Sequence, residues 1–565
     1  MSTSGSLITR RYGNFKGIDC REGEISLNRC ADALNLYKNY KSSNMIETRP
    51  DLELYQSFDN SIFGHFFYEI NDKTIEIVHS GTKLYKIEDG TVTQLFVGMK
   101  PFKSNFFVFN NILYIKDGIN YLQYDGTELK EVVGYIPTTS ISRSPKGGGT
   151  IYEDVNMLSK YRKNTFCADG ESTDYYLDAQ NITGVTNVKV NDVVQIPDTD
   201  YTVNMAKGMI TFTTAPESPD TVGEDNVEIT YIKEVQGYAD RIKKCTLLTV
   251  FDNRVFFSGN INYPNVLWHS SLNDPTYVSD LDYYDEGLDL SPIKCMVAGN
   301  NALWVFKKPS QANTTIYYHT PTIDSTYGKI YPNSHSNIST GCIATGINFN
   351  DDIVFFSDRG MEGITSDITT EQVISHRSSF IDNKLLSEKN YENMILEEWE
   401  GYLLVAIDNK IYLADSRSIT KLNGNYEYDW YYWEFNKKIT NMTVKNGTLY
   451  IGSEDGIYSL TNTTNDVSSY WLTPKDTFGY GNYQKTTNKK GCIVEVEGNN
   501  IKILVKTNKD NEEQLISEYE EVNDYIVPRI KMKKFKDIQL KISSTKKMKL
   551  ESIMIEAFIG SYIKR

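Results

Sequence analysis

Residues 247–280, LLTVFDNRVFFSGNINYPNVLWHSSLNDPTYVSD, constrain the fold of this chain more than any other stretch. Val250, Val255 and Phe257 are apolar and flank Asp252-Asn253, a pair that tolerates the backbone of a tight turn, and Ser258-Gly259-Asn260 ends the second run. That is a β-hairpin. Residues 265–269 read as a third strand, and Leu272-Asn273-Asp274-Pro275 as a turn that carries Thr276 and Tyr277 back outward. A unit of this size corresponds to one blade of a β-propeller.

The same pattern recurs along the chain. Period-two alternation begins at Phe66, and residues 105–126, NFFVFNNILYIKDGINYLQYDG, repeat strand and turn with turns at Asn110-Asn111, Asp117-Gly118 and Asp125-Gly126. A spacing of about 40 residues between such units is what four-stranded blades require. Further units place turns at Asn300-Asn301, Asp351-Asp352, Asp408-Asn409, Asn446-Gly447 and Asp455-Gly456. The uneven period gives six to eight units and leaves the blade number open.

Two segments break the rhythm. Residues 142–150, SRSPKGGGT, read as a flexible loop, and residues 174–232 as an inserted small β-sandwich with strands around Val188, Tyr201, Met209 and Val227. After Pro474 the strands at 493–496, 501–506, 535–542 and 553–558 read as a closing β-sandwich. The expected organisation is therefore an N-terminal arm (1–50), first propeller blades (51–141), a linker (142–173), the inserted β module (174–232), the remaining blades (233–474) and a C-terminal β-sandwich (475–565). Helix is expected only over residues 381–390, although residues 32–40 taken alone also permit a short one.

Composition supports strands: 40 Tyr and 24 Phe accompany only 15 Pro. The formal net charge of −15 argues against general attraction to nucleic-acid phosphate or anionic lipid. No stretch approaches the roughly 18 apolar residues of a membrane span. Seven cysteines stand singly, which suits reduced thiols of a protein assembled in cytoplasm. Residues 526–565 hold 11 Lys and Arg against 3 Asp and Glu, so a local +8 leaves −23 on residues 1–525. Lys531, Lys533 and Lys534 in that tail are candidates for docking an acidic partner, with a solvated strand face as the alternative.

No phosphate-binding loop, nucleophile elbow, zinc-protease motif or dinucleotide fingerprint occurs. The histidines show no metal-site spacing, and His319 and His335 are expected in a polar surface loop. Asp280, Asp282, Asp285 and Glu286 read as a solvated acidic loop, with a calcium site on the first three as a lesser reading. The aromatic run Tyr426, Tyr428, Trp430, Tyr431, Tyr432 and Trp433 serves a blade core, an intersubunit contact or carbohydrate stacking. No enzyme activity, cofactor or metal is expected.

The phrase N-R-V-F-F-S-G at residues 253–259, followed by W-H-S-S-L-N-D-P-T-Y at 268–277, resembles one common in the nozzle, hub or stabilisation proteins of bacteriophage tails and necks. The succession F-K-G-I-D at 15–19, A-D-A-L-N at 31–35 and R-P at 49–50 is similar to the beginning of the same proteins, which carry a glycine soon after R-P where this chain has Asp51. Residues 174–232 resemble accessory modules of phage virion proteins, and F-I-G-S-Y at 558–562 looks like the close of the family's C-terminal domain.

This resemblance implies a structural virion protein, made in the host bacterial cytoplasm and assembled as a homo-oligomeric ring, a hexamer, that extends and seals the DNA exit channel. Its partners would be a head–tail adaptor or portal ring, other tail proteins or fibres, and genomic DNA in transit without sequence-specific binding; no membrane is involved. A ring of acidic copies would repel passing phosphate. The alternative is a tail-tip propeller that binds or hydrolyses host glycans.

Overall fold

The computed structural model describes residues 5–23, 25–40, 45–310, 314–325, 328–335, 340–364, 374–422, 425–461 and 466–562. The fold is all-β and propeller-like: among the described residues, seven successive groups of four hydrogen-bonded strands lie at 62–97, 105–131, 247–285, 293–335, 346–376, 395–434 and 441–461, the last completed by Asp51–Ser57. The chain divides into two compact units, Met1–Phe67 with Val78–Gly81 and Thr340–Arg565, and Tyr68–Ile77 with Thr82–Ser339.

Local chemistry explains the hairpins. Asn110-Asn111, Asp252-Asn253 and Asn300-Asn301 all adopt positive φ at both positions, the geometry whose twist matches antiparallel strands and which Asn and Asp reach most easily. In the fifth blade the two positive-φ residues are Asn350 and Asp351, one position earlier than expected. Asp352 instead opens the strand Asp352–Ser357, and its carboxylate accepts from Arg377 Nε at 2.7 Å.

The last blade takes its outer strand from the other end of the chain. Asp51–Ser57 pairs antiparallel with Gly456–Thr461, Ser57 opposite Gly456 and Asp51 opposite Thr461. Asp51, next to the Arg49-Pro50 pair, lies on this strand. Leu449, Ile451 and Ile457 of the same blade are fully buried.

The insertion begins earlier than its sequence suggests. Thr150–Ile151, Thr138–Arg143, Tyr161–Phe166, Val227–Ile232, Gly184–Val190 and Val193–Val194 form one six-stranded sheet in that order, and Asp174–Tyr176, Met209–Phe212 and Tyr201–Asn204 a second sheet. They enclose Phe166, Tyr175, Val188, Ile210, Phe212 and Tyr231. Residues 142–173 are thus part of the module and not a linker: Thr150–Ile151 and Tyr161–Phe166 are two of its strands, and Arg143 donates to the Tyr176 carbonyl (3.0 Å). A short helix, Tyr238–Lys243, follows where blade structure was expected to resume.

The N-terminal arm is likewise integrated. Leu7–Gly13 pairs with the long C-terminal strand Met548–Tyr562, from Leu7 opposite Phe558 to Gly13 opposite Ser552. Residues 32–40, where a helix was permitted, form the strands Asp32–Leu34 and Leu36–Lys38, because Asp32–Leu34 finds Ser469–Leu472 and Leu36–Lys38 finds Ile46–Thr48. In the C-terminal segment Tyr483–Thr507 runs 25 residues. It alternates inward Val494, Val496, Ile501, Ile503 and Val505 with outward polar residues, and register shifts near Thr487 and Glu495 interrupt its pairing. The expected helix at 381–390 is reduced to Asp382–Leu385.

Candidate functional site

The aromatic run lies on the strand Asn425–Glu434 of the sixth blade. Tyr428, Trp430, Tyr431, Tyr432 and Trp433 are buried within their own unit, so they are core residues and the intersubunit reading fails for them; Tyr426 alone is exposed. The N-terminal phrase pairs along the edge of this strand, and side chains of both join one buried core. Ile18 N donates to the Trp430 carbonyl (2.8 Å), and Gly17, at φ +81°, approaches so closely that a Cβ would stand 2.1 Å from that oxygen. Trp430 Nε1 donates to the Arg377 carbonyl (2.8 Å), and Tyr428 to Asp352. Burial beside that carboxylate holds the Tyr428 phenol well above its usual range.

Lys531, Lys533 and Lys534 are exposed, with Lys533 and Lys534 on the short strand Lys533–Phe535 that flanks Tyr483–Thr507. Lys564 and Arg565, part of the basic count, lie outside the described residues.

The acidic loop of the third blade is less solvated than its sequence suggests. Glu286 is fully buried and accepts from His319 Nε2 and from Asn333 Nδ2, each at 2.7 Å, while Lys307 Nζ donates to its carbonyl at 2.6 Å. His319, expected in a surface loop, is fully buried on the strand Ile316–His319, with Nδ1 2.9 Å from the Tyr331 carbonyl. The short β-branched and aromatic run Thr315-Ile316-Tyr317-Tyr318 beside it could have revealed this. Burial pushes the Asp282 carboxyl up to about 6 and the nearby His269 imidazole down to about 4. Asp280 accepts from the Tyr238 hydroxyl, whereas Asp285 is exposed.

Above this buried polar base the same loop turns apolar side chains to solvent. Leu288 is 100% exposed, Leu290 74% and Leu281 68%. The neighbouring 260–265 turn is tied to it, Asn265 Nδ2 donating to the Gly287 carbonyl (3.1 Å) and Ile293 N to the Pro264 carbonyl (2.9 Å), and carries Ile261 at 88% exposure. Apolar residues on hydrogen-bonded adjoining loops, among Asp280, Asp285 and Asp289, form the kind of surface that partners cover. The sequence signal was present: three leucines interrupt the acidic run at positions no strand period explains.

Among the described residues no group of three His, Cys, Asp or Glu side chains is placed to hold a metal, so Asp280, Asp282 and Asp285 do not converge as calcium ligands. No helix among them is long and apolar enough to cross a membrane. Five of the seven cysteines are buried. A cleft of about 450 Å³ lies beside the short helix, lined by Val133, Met157, Tyr161, Lys233, Tyr238 and Asp240.

No protein family matches the chain, and no curated protein does. Among solved structures it is similar to BamB from Moraxella catarrhalis, at 11% identity over 72% of this chain and 97% of that one, with a TM-score of 0.32. It is also similar to Hsv2 from Kluyveromyces lactis (10% identity, 66% and 98% coverage, TM-score 0.25). A third likeness is to the extracellular domain of the one component system BT4673 from B. thetaiotaomicron (11% identity, 90% and 78% coverage, TM-score 0.24). At this identity and overlap none of them bears on the role of any residue here.

Proposed function

We propose that this chain is a structural component of a bacteriophage tail or neck, assembling into a ring that extends and seals the DNA exit channel and docks further tail proteins. The observation that carries the reading is the exposed apolar surface of Ile261, Leu288 and Leu290, set on the same blade that bears the phage-like phrase at 253–277. Side chains of this kind lose free energy in water, about 25 cal/mol per Å² of apolar surface, and regain it when a neighbouring copy or adaptor covers them. A net charge of −15 per copy suits a conduit that must release phosphate rather than hold it. In this reading the protein acts by passage and sealing, without chemistry.

The test is the mass of the purified chain, with electron-microscope images, alone and with the neighbouring neck protein. Rings of one symmetry, lost on Leu288→Asp with Leu290→Asp while the fold persists, are expected. A chain that never forms rings and instead binds or cleaves glycans would overturn the proposal in favour of a tail-tip glycan reader.

A further inference from the structure

One edge of the C-terminal sheet is formed by a single run of chain. Gln514–Val522 pairs with the 498–505 part of Tyr483–Thr507, Tyr525–Ile526 with Val494 and Glu495, and Lys533–Phe535 with Lys485 and Thr486. Among the described residues none of these three segments has a strand on its other side.

Charge along this edge is segregated by sign. Glu518, Glu520, Glu521 and Asp524 occupy the first half, and Arg529, Lys531, Lys533 and Lys534 the second; all eight are exposed. Between them stands Tyr525, 58% exposed. Glu518 reaches Lys502 (3.1 Å), whereas Glu520, Glu521, Arg529, Lys531, Lys533 and Lys534 have no ion-pair partner among the described residues. Charges of one sign along an edge repel a second copy and are a usual protection against self-association. An edge that is acidic at one end and basic at the other does the reverse. It attracts a copy of itself laid antiparallel and repels one laid parallel.

We propose that this edge docks a second copy of the same chain about a two-fold axis passing near Tyr525. Under that symmetry Glu521 falls opposite Arg529 of the second copy, Glu520 between its Arg529 and Lys531, and Glu518 between its Lys531 and Lys533; the two tyrosines cover each other. Pro528 lacks an N–H, so the basic half cannot continue a full strand ladder and the contact is led by charge. It therefore weakens as salt shortens the screening length. Such a contact is isologous, unlike the head-to-tail contacts that close a ring, so it does not rest on the virion reading.

The experiment uses the full chain at low ionic strength. Tyr525→Cys, close to the axis, is expected to form a disulfide with its own copy under mild oxidation, whereas Gln514→Cys, far from it, is not. The charge reversals E518K/E520K/E521K and R529E/K531E/K533E are each expected to abolish pairing, and their equimolar mixture to restore it as a mixed dimer. Equal crosslinking of the two cysteine variants, or masses that ignore both reversals, would overturn the proposal. Rings that persist while neither reversal changes two-fold pairing would leave the ring reading standing and remove this one.

Discussion

Arg29 and Asp429, 400 residues apart, form an ion pair from which solvent is excluded: Arg29 is 3% exposed and Asp429 0%. The guanidinium also stacks 3.6 Å from the centroid of Phe380, and Ser418 and Thr420 donate to the same carboxylate. The pair fastens the N-terminal arm to the strand Asn425–Glu434. Removing one partner strands a buried charge, which costs about 3–5 kcal/mol, whereas replacing both with apolar residues of similar volume costs much less. Arg29→Ala is accordingly expected to lower the denaturant midpoint sharply, and Arg29→Met with Asp429→Leu to recover most of it.

The aromatic strand offers a contrast within eight residues. Trp430→Ala empties a fully buried site and is expected to cost about 3–5 kcal/mol. Tyr426→Ala, at an exposed site, is expected to stay within about 0.5 kcal/mol. Equal costs in chemical denaturation would contradict the core placement of this strand.

At Gly17 the requirement is space as well as backbone. With φ at +81° and a Cβ position 2.1 Å from the Trp430 carbonyl oxygen, Gly17→Ala must displace the arm from the strand. A loss of more than about 1 kcal/mol is expected. Gly481→Ala, where the added methyl meets nothing within 4 Å, serves as the control with little change.

His376 sets a pH dependence. Burial alone would lower its pKa, but the hydrogen bond to Asp382 (Nε2 to Oδ2, 2.7 Å) and the Glu362 carboxylate 3.7 Å from Nδ1 outweigh it and raise the value from 6.5 to about 10. The folded chain holds this proton through a range in which the unfolded chain releases it. The contribution is full below pH 6.5 and is lost as pH rises through about 10. Midpoints measured between pH 6 and 10 should fall with rising pH, and His376→Gln should flatten that part of the slope.

Exposure on the third blade leads to the opposite expectation from burial. Leu288→Ser removes a side chain that touches water on all sides, so thermal stability is expected to change by less than about 0.5 kcal/mol. A large loss would mean that Leu288 packs within the fold.

Much of this architecture follows from local chemistry. Asn-Asn and Asp-Asn pairs between alternating apolar runs specify hairpins because few other residues reach positive φ cheaply, and a blade is hairpins in succession. The 247–280 stretch therefore announced the propeller, with its turn at Asp252-Asn253 and its third strand at Val266–His269 in the expected places. The leucines of the acidic loop stand outside any strand period, but only the structure shows that they face solvent.

What the sequence determined by itself was the strand content, most of the turn positions and the recurrence of blade-like units, all set by interactions within a few residues. Only the tertiary structure decided which strands share a sheet and which faces are covered. Asp51–Ser57 completes the blade at 441–461, Asp32–Leu34 becomes a strand because Ser469–Leu472 is there to pair with it, and the edge of the aromatic strand is closed by Gly17 and Ile18. Each of these depends on a partner hundreds of residues away, and strand pairing leaves no periodic trace in either segment of who that partner is.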